Sequence, residues 1–355
     1  MKNLIFTLDY ELYGNGSGDV FKHIIEPTEK ILRIFDRYNA KITIFFEVIE
    51  YWKLKEEWDN GNKMGYDRNP ILAIENQLIS AYKKGHDIQL HLHPQWVNAK
   101  WTKDGWNVDL SQWRLGDYVG NDDYSLVSLL QKGKETLETI INDQNYQCNA
   151  LRAGGYNVQP SHDLSVAMKT VGFKIDSSIF PGGKELGYLS RYDYSMIPAN
   201  EGMWFCDDSL EKEVNGVTEL IELPIVAFPF MRLKKYLSAD RIRSFMQNRK
   251  SAKESFVAKT GANRGRFDKI KFFFQREALT WDYCLFSPSM HRNFLKQISR
   301  QLQRDVFVLV GHPKSFISDE GLIYLLTNTD NYAKVSINQF VTKKLKKIST
   351  YAIYF

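Results

Sequence analysis

The chain has 355 residues, of which 43% are hydrophobic and 25% are charged, and its formal net charge is +5. These are the proportions of an ordinary globular protein, and they exclude disordered, collagen-like and low-complexity classes. So small a charge excess does not indicate a nucleic-acid partner, because nucleic-acid binding needs a concentrated basic face.

Short apolar runs and helix-start signals alternate along the chain. Apolar runs predict buried strands, and a proline before an amphipathic stretch predicts the first turn of a helix. In chain order we predict a strand at 4–8, a helix at 27–38, a strand at 41–46, a helix from Pro70, a strand at 87–93, a helix at 124–142, a strand at 150–152, a helix at 162–171, strands at 173–177, 221–225 and 306–310, and a helix near 336–347. This alternation is typical of a parallel α/β fold.

Three stretches interrupt the alternation, at about 54–69, 94–122 and 181–218, and we predict long loop insertions there. Residues 239–304 contain basic and aromatic helical segments that the pattern does not place. There is no internal repeat and no linker-like break, so residues 1–355 are expected to form one domain.

The three cysteines form no CxxC pair, which argues against a disulfide framework. The first apolar run reaches Asp9 too soon for the apolar region of a secretory signal. No apolar run approaches the roughly 18 residues of a membrane span. We therefore expect a cytoplasmic protein without a transmembrane segment.

Polar side chains follow several predicted strands. Residues two apart on a strand share one face, so Asp9 points with Glu11, and His91 points with His93. In an α/β barrel the functional groups collect at the carboxyl ends of the strands. A carboxylate and two imidazoles are ligands of a catalytic divalent metal site that leaves a position for water. Zinc is the expected metal, and cobalt, nickel or manganese would also fit this donor set.

Five short motifs occur in the order in which they occur in the polysaccharide deacetylases of carbohydrate esterase family 4, which share the NodB homology region. The chain resembles that family in TLDYE at 7–11 (for T-F-D-D-G), GHDIQLHLHP at 85–94 (for G-H-E-I-x-x-H and a following H-P), LRAGGY at 151–156 (for R-x-x-x-Tyr/Trp), DSS at 176–178 and LVGHP at 309–313 (for L-x-x-H-P). No single motif is specific, but the ordered set spans nearly the whole chain.

The resemblance implies a distorted β/α barrel with fewer than eight strands. It also implies metal-dependent hydrolysis of an N-acetyl or O-acetyl group on a sugar. By the same resemblance Asp9 is the general base, Arg152 holds Asp9, and His312 is the general acid. Glu11, His91 and one further histidine would hold the metal.

The remaining site residues also follow from the resemblance. The family's second ligand histidine falls at Gln95 here, so we assign His93 instead, since it shares the face of His91. Asp176 of the fourth motif is assigned to the catalytic set. Backbone N–H groups near Gly155 and Tyr156 are expected to stabilise an oxyanion. Trp96 is expected to stack on the sugar, although a tryptophan-rich loop that packs on itself is an equal alternative.

The expected substrate is an acetylated sugar or glycan, in surface-polysaccharide or glycan-precursor metabolism. Three alternatives remain open at this point. Asp9 and Glu11 could form the metal-nucleotide clamp of a glycosyltransferase. The H-x-H pair could belong to an amidohydrolase-type barrel. Because of Gln95, the chain could also be a carbohydrate-binding relative without catalysis.

Overall fold

The computed structural model describes residues 2–231, 274, 276–316 and 318–352. Much of the stretch 239–304, which the sequence pattern does not place, therefore lies outside the described residues. The strands are β1 (Asn3–Tyr10), β2 (Ile42–Glu47), β3 (Asp87–Leu92), β4 (Lys100–Thr102), β5 (Gly105–Asn107), β6 (Ala150–Ala153), β7 (Ile175–Asp176), β8 (Lys184–Leu186), β9 (Arg191–Asp193), β10 (Trp204–Cys206), β11 (Leu220–Glu222), β12 (Ala227–Met231), β13 (Arg276–Thr280), β14 (Val306–Gly311) and β15 (Ala333–Lys334).

Helices separate most of the neighbouring strands of the main sheet. They are α1 (Glu26–Arg37), α2 (Val48–Asp59), α3 (Pro70–Lys83), α4 (Leu126–Ile141), α5 (His162–Val171), α6 (Pro288–Ile298), α7 (Asp319–Thr327) and α8 (Ile337–Ala352). The start of α3 shows how the sequence sets these boundaries. Pro70 opens the helix, and the side chain of Asn69 accepts hydrogen bonds from the backbone N–H groups of Ile71 and Leu72.

The main sheet has the strand order β10-β11-β7-β6-β3-β2-β1-β14, and β15 adds a short pairing with β1. Within this sheet, every neighbouring pair from β11 through β7, β6, β3, β2 and β1 to β14 is parallel, and β10 pairs with β11 antiparallel. The residues of β2, β3 and β14 are all buried, because helices cover a parallel sheet on its outside. The α/β class and the central strands predicted from the apolar runs are therefore confirmed.

The sheet curls until its two sides approach each other. The N–H of Ile225, just beyond β11, donates to the carbonyl of Ile179, which follows β7. The N–H of Val226 donates to Val308 on β14. Asp282, which follows β13, forms a parallel bridge with Val310 on β14. This curled mixed sheet fits a distorted barrel, and it directs the ends of β1, β3, β6 and β14 toward one another.

The three predicted insertions contain regular structure of their own. The stretch 54–69 is not a loop throughout, because α2 continues to Asp59 and buries Leu54. The side chain of Glu47 begins this helix by accepting hydrogen bonds from two backbone N–H groups. The stretch 94–122 carries the β4–β5 hairpin, and 181–218 carries the β8–β9 hairpin and β10. In the described part of the chain, no helix is both long and apolar enough to cross a membrane.

Candidate active site

The predicted site residues lie on neighbouring strands. In the parallel register Glu47 on β2 pairs with His91 on β3, and His91 pairs with Arg152 on β6. On the other side of β2, β1 continues directly into Glu11. Because carboxyl ends of parallel strands meet at one edge of the sheet, these side chains converge there.

Glu11, His91 and His93 form one buried cluster. A carboxylate oxygen of Glu11, Oε2, lies 3.3 Å from His91 Nε2 and 2.6 Å from His93 Nε2. The exposed fractions of the three side chains are 8%, 2% and 5%. One potential ligand atom from each residue lies within 4.8 Å of the others, so the three can hold a metal ion together. The structure thus brings together the three residues predicted as ligands.

The hydrogen bonds of His91 fit a bound cation. His91 Nδ1 lies 2.8 Å from the backbone carbonyl oxygen of Arg152. A carbonyl oxygen only accepts, so Nδ1 carries a hydrogen and Nε2 faces Glu11. The 3.3 Å contact between Nε2 and Oε2 of Glu11 needs a positive charge between the two atoms, which either a proton on Nε2 or a metal ion supplies. The carbonyl is the outer partner that metal-ligating histidines commonly have.

His93 has a different outer partner. Its Nδ1 lies 2.7 Å from the side-chain amide of Gln95, and burial lowers the pKa of the His93 ring. The Oε1 atom of Gln95 is buried without a hydrogen bond within the described part of the chain, and Nε2 of His93 has Oε2 of Glu11 as its polar neighbour. The amide nitrogen of Gln95 faces Nδ1 and also donates to the carbonyl oxygen of Gly14 at 3.3 Å. The turned amide would free the Nε2 lone pair for a metal, since Oε1 would then accept from Nδ1–H, but it would give up the bond to Gly14. Gln95 is the hydrogen-bond partner of His93 in either orientation.

Lys314 is a member of the site that sequence reasoning missed. Its Nζ lies 2.7 Å from Oε1 of Glu11 and 2.5 Å from the carbonyl oxygen of Leu12. Burial alone would raise the pKa of Glu11, but Lys314 and the two histidines hold that pKa well below its usual range. Glu11 is thus a carboxylate whose Oε1 is bound by an ammonium group and whose Oε2 faces the imidazoles. The position of Lys314, two residues after His312, is the sequence signal that could have revealed it.

Asp9 is held by the buried guanidinium of Arg152. Arg152 Nη1 donates to Oδ1 of Asp9 at 2.7 Å and to the hydroxyl of Thr7 at 2.6 Å. Its Nε and Nη2 donate to the carbonyl and the hydroxyl of Ser177. The guanidinium also lies over the ring of Phe45, with 4.3 Å to the ring centroid. Arg152 therefore fixes the position of Asp9.

His312 approaches Asp9 from β14. Its Nε2 lies 3.6 Å from Oδ2 of Asp9, and its Nδ1 lies 3.0 Å from Oδ2 of Asp282. Burial alone would lower the pKa of His312, but the hydrogen bond and charge of Asp282, together with Asp9, raise it. The sequence analysis did not identify Asp282, which no local pattern marks.

Asp176 has a supporting place in the structure. Its two carboxylate oxygens accept from the hydroxyl and the N–H of Ser178, and the same hydroxyl accepts from the N–H of Ala153. These bonds fix the turn that carries Ser177, which binds Arg152. None of the described hydrogen bonds joins Asp176 to Asp9. Asp176 thus supports the turn whose Ser177 binds Arg152, and its catalytic role stays a prediction.

The predicted substrate-binding residues separate into two groups. Tyr156 and Gly155 lie directly after β6 in left-handed conformations, with φ values of 65° and 56°, and the ring of Tyr156 packs edge-on against Phe180. Trp96 is only 1% exposed and packs against Trp106, so no face of its indole is free for a sugar. For Trp96 the structure matches the alternative of a loop packed on its own aromatic residues.

The fold was compared with those of known proteins. No protein-family model and no curated protein matches the chain. A "putative polysaccharide deacetylase" from Mycobacterium smegmatis is 14% identical with a TM-score of 0.48, covering 98% of this chain and 92% of its own. The 4-alpha-glucanotransferase of Thermococcus litoralis is 11% identical with a TM-score of 0.49, and the match covers 96% of this chain but 40% of that enzyme.

A third structure with a similar fold is a GH57 branching enzyme from Thermococcus kodakaraensis, which is 9% identical with a TM-score of 0.47. The match covers 96% of this chain and 71% of that enzyme. At these identities and TM-scores the likenesses carry no argument about activity. The functional case therefore depends on the geometry of the site.

Proposed function

We propose that the protein is a metal-dependent hydrolase that removes an acetyl group from an acetylated sugar. The observation that carries the proposal is the buried cluster of Glu11, His91 and His93, which lies beside Asp9 and His312. Zinc is the metal that we propose, because two imidazoles and one carboxylate form a donor set typical of catalytic zinc. The sugar is proposed from the resemblance of the ordered sequence motifs.

Some of the site side chains would bind the metal, and others would transfer protons. Glu11, His91 and His93 would hold the metal, which when bound polarises the acetyl carbonyl and acidifies a water molecule. Asp9 accepts a proton at Oδ2, since Arg152 binds its Oδ1. The ion pair with the buried guanidinium holds the Asp9 carboxylate at a fixed position, so that Oδ2 is the oxygen left to accept the proton.

His312 supplies the proton that the leaving group needs. Asp282 binds Nδ1, so the protonated ring directs its Nε2–H toward Asp9 and the reacting centre. The raised pKa of His312 keeps the ring protonated at higher pH than an ordinary imidazole. An amine leaves poorly from a tetrahedral centre unless it is protonated, so this placement suits cleavage of an amide.

One observation favours a second candidate function. The ammonium group of Lys314 binds Glu11 and already neutralises one negative charge in the cluster. A site balanced in this way would suit a sugar-binding protein that does not use a metal. By contrast, a glycosyltransferase clamp made of Asp9 and Glu11 predicts no role for His91 or His93, and Glu11 contacts both.

Metal content decides between the two candidates. We expect one equivalent of divalent metal in the wild type by elemental mass spectrometry, and its loss in both His91→Ala and His93→Ala. His86→Ala is the matched control, because His86 is a buried histidine before β3 that pairs with Asp36. This variant should keep the metal.

Acetate release from N-acetylated and O-acetylated sugars then tests the reaction itself. The metal-loaded wild type should release acetate, and the two ligand variants should not. A wild type that binds no metal after reconstitution would contradict the hydrolase and leave the sugar-binding protein. Metal loss in His91→Ala alone would remove His93 from the ligand set.

A further inference from the structure

Trp113 fills the space between three strand ends at the site. Its indole meets the ring of His93 edge-on, with 5.9 Å between the ring centroids. A Cβ atom at Gly14, in the loop after β1, would lie 2.4 Å from Trp113 Cη2. A Cβ atom at Gly155, after β6, would lie 3.1 Å from its Nε1. Glycine at these two positions therefore lets the indole lie directly against the His93 side of the site.

Trp113 also joins two of the predicted insertions. It belongs to the stretch 94–122, and its Nε1 donates to the hydroxyl of Ser190 in the turn of the β8–β9 hairpin at 3.2 Å. The next residue, Arg114, donates to the carbonyl of Tyr188 in the same turn. Asn157, after β6, also donates to the Ser190 hydroxyl. The N–H of Arg191 donates in turn to Oδ1 of Asn157, so these hydrogen bonds hold the hairpin beside the indole.

The exposure of the site side chains follows this arrangement. On the covered side, His91 and His93 are at most 5% exposed. On the side of β14, His312 is 19% exposed and Asp282 is 13% exposed. The access to the site therefore lies at the His312 side, and the His93 side is closed.

We infer that Trp113 is a specificity-determining residue that restricts this site to acetyl groups on a free sugar or on the end of a glycan chain. This inference depends on the proposed function. The interior of a polymer must continue on both sides of the reacting sugar, so it needs a cleft that is open at both ends. A sugar that terminates at the site needs one opening only, which is what the His312 side provides.

The closure itself can be tested without any substrate. The full chain, freed of metal with a chelator, is treated with diethyl pyrocarbonate, and the modified histidines are located by peptide mass spectrometry. The rates are compared on the high-pH plateau, where both rings are unprotonated, because the reagent attacks only the neutral imidazole. There we expect His312 of the wild type to react at least tenfold faster than His93. Trp113→Ala should bring the two rates to within a few-fold of each other. Trp113→Phe, which retains a ring in the same space, should keep His93 protected.

Trp101→Ala is the matched control, because Trp101 lies in the same insertion and packs on Trp106 away from His93. This variant should leave the His93 rate unchanged. Equal rates for His93 and His312 in the wild type would overturn the closure. So would a Trp113→Ala variant, folded by circular dichroism, in which His93 stays as protected as before.

The consequence for the substrate is tested with N-acetylglucosamine, its tetramer and soluble glycol chitin. The metal-loaded wild type should release acetate from the monosaccharide and from a terminal unit of the tetramer, and Trp113→Ala should gain internal deacetylation. Internal deacetylation by the wild type at a similar rate per sugar would overturn the inference. A protected His93 with no acetate from these or any other acetylated sugar would leave the closure standing and count against the proposed function instead.

Discussion

The site contains a pair of histidines at the end of β3 and a single histidine after β14, and their surroundings differ. The β3 pair, His91 and His93, is buried, and burial lowers the pKa of His93. The single ring after β14 is partly exposed, and Asp282 with Asp9 raises the pKa of His312. A neutral imidazole offers a lone pair to a metal, whereas a protonated one offers a proton. The surroundings of His93 therefore favour binding of a metal, and those of His312 favour donation of a proton.

The carboxylates explain the contrast. Glu11 serves both rings of the β3 pair, and its Oε1 is already bound by Lys314. His312 lies between two carboxylates, Asp9 and Asp282, and is more exposed to water. The nearby negative charges, together with burial, explain why the pKa of His93 is lowered and that of His312 is raised.

We expect the largest effect on stability and activity from removal of Arg152, because its guanidinium compensates the charge of Asp9, which lies beside His312. Arg152→Met leaves the buried Asp9 with His312, 3.6 Å away, as its remaining cationic neighbour, and a broken buried ion pair costs about 3–5 kcal/mol. We expect that loss in the free energy of unfolding, measured by urea denaturation. Acetate release should also disappear.

The control for this experiment is the double variant Asp9→Asn, Arg152→Met, in which no uncompensated charge is buried. It should recover a large part of the lost stability, while activity stays absent. Equal stability losses in the single and the double variant would show that the contacts of Arg152 with Thr7 and Ser177, rather than with Asp9, stabilise the fold.

The two rings of the β3 pair can themselves be distinguished through their outer partners. His91 is oriented by a backbone carbonyl, whereas His93 is oriented by the side chain of Gln95. Gln95→Leu removes that partner, and loss of such a partner weakens metal binding by about 10–100-fold. Competition with a chromophoric chelator measures the change. Gln95→Glu keeps an acceptor for Nδ1–H and should bind metal at least as tightly as the wild type.

A Gln95→Leu variant with unchanged affinity would contradict the role given to Gln95. It would also mean that His93 is oriented by Glu11 alone, since Glu11 is its remaining polar neighbour in the cluster. The contrast between the sealed pair and the open ring would then depend only on burial.

The β3 pair could be predicted from the sequence. The side chains of a strand repeat every two residues, so the spacing of His91 and His93 alone places both on one face. The central strands were predictable in the same way, because strands buried on both faces are continuous apolar runs. Their joint position beside Glu11 followed from the parallel order that the alternation of strands and helices predicted.

The partners of His312 were not accessible in this way. Asp282 meets β14 through a single bridge to Val310, and such a pairing across the closure of the barrel leaves no periodic signal. That Trp113, rather than the predicted Trp96, lies beside His93 depends likewise on tertiary packing. Both lie in one irregular insertion, where no strand or helix period tells a buried indole from one beside the site.

We expect the smallest effect from a change in the pKa of His312. The substitution that causes it removes a neighbouring charge and leaves all three site histidines in place. Asp282→Asn removes the carboxylate that binds Nδ1, so the pKa of His312 should fall. In an NMR titration the ring signals of His312 should shift at lower pH than in the wild type. If His312 is the general acid, the basic limb of the kcat/KM profile should move in the same direction, because less of the ring is protonated at a given pH.

The free energy of unfolding of Asp282→Asn should also fall, and by an amount that depends on pH. A histidine whose pKa is raised in the folded state stabilises the protein at pH values below the pKa of the unfolded chain, and this contribution is lost as the pH rises through the folded pKa. Asp282→Asn should therefore lower the free energy of unfolding more at pH 5 than at pH 9. His291 is the internal reference, since burial lowers its pKa to about 3 and its signals should not move in either protein. An unchanged His312 titration in Asp282→Asn would show that Asp9, rather than Asp282, makes this ring differ from the sealed pair.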